Sequence, residues 1–447
     1  MTTPSDTICA LSSAPGRAAV AMVRVSGPSA KQALVKLAGG VPEPRRAALR
    51  TIRHPSTGQE IDRGIILFFP GPSSFTGEDV VEILLHGGRA VVASVLDALG
   101  ALQCRLAEPG EFARRAFENG KIDLTEAEGI ADLIDAETEA QRVQAVRQAG
   151  GELHRLYDGW RSQILDAMAL TEAAIDFSDE ADVAADASAR ARVIASGLAG
   201  SIAAHLADGR RGEILREGFR VVLAGAPNVG KSSLLNALAR RDAAIVSPEA
   251  GTTRDVIEVR LDLDGYPVIV SDTAGIREAG GDIEREGIRR TLARGREADL
   301  VLWVRDATAP AGEVARELRE AGAAIILVDN KVDLVAGEPS IAAGDVETLR
   351  VSASSGAGMG ELVARIAALA RERIAPGDNP VLTQARHREA LGDCAACLQD
   401  ALVQSLRDGE LAAEDLRRAA RALGRITGAV DAEEVLGRIF ARFCIGK

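Results

Sequence analysis

The chain has 447 residues, 47% of them hydrophobic and 26% charged, with a formal net charge of −12; that suggests about three globular domains rather than a disordered or fibrous chain. The acidic balance does not announce a nucleic-acid partner, so any such contact must use a local basic patch. Five scattered cysteines argue against a disulfide framework, and there is no basic leader and no run near ~18 apolar residues, so a cytoplasmic protein with no membrane contact is expected.

Proline divides the chain. All sixteen prolines fall within residues 4–109 and 227–380, which leaves 110–226 and the tail beyond 380 free to be helical. Residues 1–118 read as an α+β domain, with strands at Val20–Val25, Ile65–Phe69 and Val80–Leu85 and a helix at Ala90–Leu99. His86 precedes two glycines and is either a ligand or base, or a structural histidine at a strand end. Residues 119–216 show helical spacing at Leu124, Ile130, Leu133 and Ile134, and again at Leu153, Leu156, Ile164, Leu165, Met168 and Leu170. These are amphipathic helices of a bundle, interrupted by a turn at Ile175–Glu180.

Residues 217–375 alternate strand and helix. Strands are expected at 219–224, 267–271, 299–304, 323–328 and 348–352, and helices at 231–240, 284–296, 312–321 and 360–373. That is a doubly wound, mainly parallel sheet. Proline-free helix resumes at 381. The simplest arrangement is a discontinuous helical domain, 119–216 with 376–447, into which 217–375 is inserted.

The inserted segment carries the chemistry. An apolar run, Phe219–Ala224, leads into Gly225-Ala226-Pro227-Asn228-Val229-Gly230-Lys231-Ser232-Ser233, and a helix-favouring run leads out. This G-x-x-x-x-G-K-S spacing is a phosphate-binding loop. Glycines let backbone N–H groups turn toward phosphate oxygens, the helix start adds its positive dipole end, Lys231 adds a point charge, and the Ser232 hydroxyl suits Mg²⁺. The loop alone does not choose ATP or GTP. Downstream lie Gly251-Thr252-Thr253-Arg254-Asp255, Ser271-Asp272-Thr273-Ala274-Gly275, Asn330-Lys331-Val332-Asp333 and Ser352-Ala353-Ser354.

With these five motifs in order, the segment resembles a translation-factor-class GTPase domain. The resemblance implies that Thr253 contacts Mg²⁺, Asp272 supports its shell, and Gly275 donates to the γ-phosphate. It implies that Asp333 accepts two hydrogens from guanine, with Asn330 and Ala353 completing the pocket. Adenine lacks that donor pair, and an unpaired buried carboxylate is costly. Ile276 stands where Ras-type enzymes place a water-orienting glutamine, so another group must do that work.

Outside this segment, Phe75-Thr76-Gly77-Glu78-Asp79-Val80-Val81-Glu82, Pro109 to Phe117, Asn119 to Leu124 and the terminal Cys444-Ile445-Gly446-Lys447 are distinctive. Together with the GTPase motifs they resemble the MnmE (TrmE) family of bacterial tRNA modification GTPases over essentially the whole chain. The resemblance implies a folate-binding-like N-terminal domain that forms a homodimer and holds a 5-formyl- or 5,10-methylene-tetrahydrofolate through Arg24, Glu82, Lys121 and Lys447. It implies GTP contacts at Asn228, Val229, Gly230, Lys231, Ser232 and Ser233, at Ser247, Pro248, Glu249, Ala250, Gly251, Thr252 and Thr253, at Asp272, Thr273, Ala274 and Gly275, and at Asn330, Lys331, Asp333, Ser352, Ala353 and Ser354. Mg²⁺ would sit on Ser232 and Thr253, and K⁺ on Asn228, Ser247, Glu249 and Thr252, supplying the charge of an arginine finger. Glu284 would orient the attacking water.

The implied activity is K⁺-stimulated GTP hydrolysis on G-domain pairing. With the flavoprotein MnmG, in a heterotetramer or larger assembly, it would add a carboxymethylaminomethyl or aminomethyl group at C5 of the wobble uridine (position 34) of certain tRNAs. Cys444 would either attack the uridine or merely pack. Cys394-x-x-Cys397 is either a redox pair or two small buried residues; a lone pair in a helical tract favours the latter. Arg417, Arg418, Arg421 and Arg425 either meet tRNA phosphates or form a solvated helix face. The other reading is a ribosome-assembly GTPase of the Era or Der kind, although no second phosphate loop and no KH-type strand pattern is evident. A pure folate-binding scaffold is disfavoured by the complete GTPase set.

Overall fold

The computed structural model describes residues 6–208, 210–241, 243–245, 258–272, 298–309, 324–335, 346–374, 380–405, 407–430, 433–441, 443 and 445–446. The chain divides into two compact units, one of Met1–Ala131, Arg147–Leu198 and Ala396–Lys447, the other of Asp132–Val146 and Ala199–Ala395.

The first unit opens with β1 (Ile8–Leu11), β2 (Ala18–Ser26), α1 (Ala30–Ala38), β3 (Ala48–Arg53), β4 (Glu60–Phe69), β5 (Val80–Gly87), α2 (Arg89–Ala101), β6 (Arg105–Leu106) and α3 (Glu111–Glu118). The sheet order is β3-β4-β5-β2-β1-β6, antiparallel except for β1 beside β6. Alternation decides its faces. Val81, Ile83 and Leu85 of β5 are buried with Ala33, Leu34 and Leu37 of α1 and Val95 and Leu99 of α2. The intervening residues face the other way. Leu49 pairs with Ile65, Ile65 with Leu84, and Leu84 with Met22, so an apolar row crosses four strands on that second face. Leu49 is 52% exposed, Ile65 41% and, nearby, Val20 54%.

Helices follow: α4 (Leu124–Asp135), α5 (Glu139–Ala149), α6 (Glu152–Asp176), α7 (Ala181–Leu206) and α8 (Arg211–Glu217). Asp123 and Glu126 exchange backbone bonds at the start of α4, Asp123 Oδ1 accepting from Glu126 N at 2.7 Å and Glu126 Oε2 from Asp123 N at 2.8 Å, a capping box. In α6 the buried face is Leu153, Tyr157, Trp160, Ile164, Ala167 and Thr171. It packs on α12 (Gly409–Thr427), introduced below, whose buried face is rich in alanine. The turn expected at Ile175–Glu180 is present but starts later, since α6 continues through Ile175 and Asp176 and ends at Phe177. The expected apolar faces need correction at three places: Leu133, Ile134 and Leu165 are exposed. Tyr157, Trp160 and Ala167 hold the core line instead, because they complete the i, i+3, i+4 stripe with Leu153 and Ile164.

The second unit holds β7 (Phe219–Ala224), α9 (Lys231–Ala239), β8 (Glu258–Leu263), β9 (Tyr266–Asp272), β10 (Leu300–Asp306), β11 (Ala324–Asn330), β12 (Thr348–Arg350) and α10 (Met359–Ile374). The sheet runs β12-β11-β10-β7-β9-β8, parallel throughout except that β8 pairs antiparallel with β9. The expected doubly wound sheet is therefore present, with one additional strand, β8. The expected helices at 284–296 and 312–321 lie outside the described residues. Chain order reverses at β7, whose neighbours are β9 and β10, which makes the carboxyl end of β7 a topological switch point.

The last helices are α11 (Ala385–Gln404), α12 and α13 (Glu433–Phe440). Arg388 of α11 ties the chain entering the nucleotide segment to the chain leaving it. It donates to Leu206 O at 2.7 Å, Asp208 Oδ1 at 2.8 Å and Glu213 Oε1 at 2.8 Å. Gly212 is needed there, since a Cβ would lie 2.2 Å from Leu382 O. Cys394 and Cys397 are buried on α11 and are not joined in a disulfide. Among the described residues no helix is long and apolar enough to cross a membrane.

Candidate nucleotide-binding site

The loop between β7 and α9 is built from backbone that side chains disfavour. Gly225 has φ +138°, and a Cβ there would stand 2.2 Å from Val304 O. Gly230 has φ +95°, and a Cβ there would stand 2.3 Å from Asn330 Nδ2. Asn228 also has positive φ, 65°, a conformation asparagine tolerates better than most residues. The loop therefore folds back on itself, and α9 starts at Lys231 with its N–H end toward the loop.

Lys231 is buried, and Nζ donates to the carbonyls of Gly225 and Ala226, both at 2.8 Å. Burial pulls its ammonium below the ordinary lysine range, with Asp272 opposing. Ser232 Oγ donates to Asp272 Oδ2 at 2.8 Å. Asp272 ends β9 beside β7 and is buried. A hydroxyl and a carboxylate at this spacing are hard oxygen donors of the kind that fit Mg²⁺. Ser233 and Asn228 are exposed and Val229 is buried.

The base motif is bonded to this loop. Asn330 ends β11 and is buried; its Nδ2 donates to Val229 O at 3.0 Å, and its Oδ1 accepts from Ala353 N at 3.1 Å. Ser352 is fully buried and its hydroxyl accepts from Ser355 N at 3.0 Å, which fixes the loop carrying Ala353 and Ser354. Lys331, at φ 66°, donates to Asn228 O at 2.9 Å and to Asp306 Oδ2 at 2.6 Å. Asp333 is exposed on the single 3₁₀ turn that follows. The structure thus brings together the sequence-expected residues 228–233, 272, 330, 331 and 352–353, with Asp333 and Ser354 at their margin. Ser247, Pro248, Glu249, Ala250, Gly251, Thr252, Thr253, Thr273, Ala274, Gly275, Glu284, Cys444 and Lys447 lie outside the described residues.

Asp306 was not expected. It ends β10, its Oδ1 accepts from Thr308 N and Oγ, and its Oδ2 accepts from Lys331. The hydrogen bonds from Lys331 and Thr308 draw its carboxyl down to about 2. The signal was an acid at a strand end one strand away from the base motif, which spacing along the chain alone does not reveal.

At the N-terminal sheet, Arg24 and Glu82 face each other in register and bond, Nη2 to Oε1 at 2.8 Å. The Arg24 guanidinium lies 5.7 Å from the ring centroids of both Phe75 and Phe112. Lys121 is exposed. Phe112 is fully buried beneath the pair and Phe75 is exposed beside it, so the paired cation and carboxylate offer polar edges and Phe75 one flat apolar wall, groups of the kind a folate's ring system needs. The loop carrying Phe75 is fixed from behind. Arg115, 1% exposed, donates to Glu78, Glu111 and Asp6; Ser26 Oγ donates to Glu78 Oε2 at 2.7 Å, and Asn119 Nδ2 to Thr76 O at 2.7 Å. Nearby, Ser12 Oγ donates to Gly446 O at 2.8 Å. His86 bonds Asp62 at 2.9 Å on the surface, a strand-end histidine. Arg417 and Arg418 are paired with Glu414, Glu172 and Asp415, as on a solvated helix face.

The motif order and this geometry agree with two family models. A model described as the MnmE helical domain matches residues 124–444, and one described as the GTP-binding protein TrmE N-terminus matches residues 7–121. The chain belongs to the MnmE family. Among MnmE proteins named tRNA modification GTPase, that of Parvibaculum lavamentivorans is 54% identical, covering 99% of this chain and 100% of the relative. Those of Rhodopseudomonas palustris and Methylorubrum populi are 50% and 54% identical, again over 99% of this chain. Of solved structures, the FeoB G-domain from Methanococcus jannaschii is 27% identical over 34% of this chain and 98% of that one, with a TM-score of 0.27.

Proposed function

We propose that this MnmE-family GTPase acts on tRNA with a flavoprotein partner of the MnmG kind, adding an aminomethyl or carboxymethylaminomethyl group at C5 of the wobble uridine. The observation that carries the guanine-nucleotide half is Asn330, whose amide joins the phosphate loop at Val229 to the base loop at Ala353. A pocket tied together at that point senses phosphates and base as one unit. Lys231 and the start of α9 supply positive charge to the phosphates, and Asp333 discriminates guanine. Ser232, with Thr253, would hold Mg²⁺, which supplies charge neutralisation at the phosphates. Asn228, with Ser247, Glu249 and Thr252, would hold K⁺. Glu284 would orient water in place of the residue at Ile276.

The homodimer belongs to the same reading. The second face of the N-terminal sheet carries an apolar row ending in exposed Leu49 and Ile65 beside the Arg24–Glu82 pair, a surface suited to a second copy. The tetrahydrofolate would bind through Arg24, Glu82, Lys121 and Lys447, and the division into 1–118, 119–216 with 376–447, and 217–375 is part of the proposal.

The test is GTP turnover by the full chain in KCl and in NaCl, with Asn228→Ala and Glu284→Ala alongside. Turnover faster in KCl, lost in Glu284→Ala and insensitive to K⁺ in Asn228→Ala, is expected. Equal turnover in both salts removes the potassium mechanism, and full activity of Glu284→Ala removes its role.

A further inference from the structure

Three strands lead to a small polar junction at the phosphate loop, built from one backbone carbonyl and two side chains. β7 leads to Asn228, β10 ends at Asp306, and β11 leads to Lys331. Asp306 and Asn330 are register partners, and Ala307 N donates to Asn330 O at 2.9 Å. The Lys331 ammonium bridges the Asn228 carbonyl at 2.9 Å and the Asp306 carboxylate at 2.6 Å. A lysine on its own is a poor clamp, because fixing its four rotatable bonds costs side-chain entropy. A carboxylate fixed at a strand end supplies that immobilisation. The carboxylate is itself oriented, since Thr308 N donates to Oδ1 at 2.9 Å and Thr308 Oγ at 2.6 Å, leaving Oδ2 for the ammonium.

We propose that Asp306 is a positioning residue for guanine-nucleotide binding: it holds Lys331 so that Lys331 can hold the Asn228 carbonyl and keep the phosphate loop open for phosphates. The carbonyl matters because Asn228 sits at positive φ, a conformation that persists only when its surroundings fix it. The inference rests on the guanine-nucleotide reading above and extends it to a residue outside the sequence motifs.

The two carboxylate oxygens make the test clean. In Asp306→Asn the amide oxygen still accepts from Thr308, but the charged partner of Lys331 is gone. GDP release from the full chain is followed with a fluorescent guanine nucleotide. Asp306→Asn is expected to speed release about tenfold with an unchanged melting temperature. Lys331→Met gives a similar increase, and the double variant gives no more than Lys331→Met alone, since the two residues act in series. Thr308→Val keeps the carboxylate charge and the Thr308 N–H bond, and is expected to speed release less than Asp306→Asn does. Unchanged release in Asp306→Asn, effects that multiply in the double variant, or equal acceleration by Thr308→Val overturns the inference. Failure of the parent protein to bind GDP overturns the guanine-nucleotide reading instead, so the two failures are told apart.

Discussion

Gly230 and Asn330 are in contact across the nucleotide site: a Cβ on Gly230 would lie 2.3 Å from the Asn330 amide nitrogen. The residue that closes the phosphate loop and the one that opens the base motif are therefore fitted to each other. Gly230→Ala forces both a strained backbone at φ +95° and a displaced Asn330. Guanine-nucleotide binding is expected to fall at least tenfold, with a stability loss of about 1–3 kcal/mol, read by nucleotide titration and urea unfolding.

Asn330→Ala approaches the same junction from the other side. Asn330 is 2% exposed, so its removal leaves Val229 O and Ala353 N without their partner. The cost is about 1–3 kcal/mol. GTP affinity should drop with it, because Val229 lies in the phosphate loop and Ala353 in the base loop. Asn330→Asp is the informative companion, since it keeps one acceptor and loses the donor to Val229.

Arg115 governs the N-terminal domain. It is 1% exposed and shares its charge among Glu78, Glu111 and Asp6. Arg115→Ala strands buried carboxylates and is expected to cost about 3–5 kcal/mol in urea unfolding. Arg115→Lys should recover only part, because an ammonium cannot match several carboxylates with one planar fork.

The same network sets an acid limit. Burial alone would raise the Glu111 carboxyl, but hydrogen bonds from Arg105, the Glu108 N–H and Arg115 outweigh it and hold the carboxyl low. A depressed carboxyl stabilises the fold above its unfolded value of about 4.3. That stability is lost as pH falls through the depressed value. Unfolding monitored from pH 7 to pH 2 should show a loss below about pH 4 that Glu111→Gln diminishes.

The open sheet face offers a direct test of self-association. Leu49→Glu with Ile65→Glu places two charges on side chains that are already 52% and 41% exposed, so the fold itself should be little affected. Sedimentation is expected to show a dimer for the parent chain and a shift toward monomer for the double variant.

Local chemistry was legible in the sequence where glycines and strand ends coincide. The phosphate loop, the Asn330 motif and the central strands could be read because a parallel buried sheet leaves apolar runs. β8 was missed although its turn was visible: Asp264-Gly265, both at positive φ, joins Leu263 to Tyr266 in a two-residue hairpin. β1, β3 and β6 were missed because their short or charged segments gain their identity from neighbours in the sheet. Leu133, Ile134 and Leu165 misled the bundle reading, since apolar spacing does not say which of two adjacent stripes meets a partner. Asp306 was invisible because its meaning lies across strands, not along the chain.

The Arg388 staple has a mechanical corollary. The two covalent leads of the nucleotide segment are cross-linked to each other at Leu206, Asp208 and Glu213. The entering and leaving leads are therefore fastened side by side, and a displacement of either one is borne by two strands of chain instead of one.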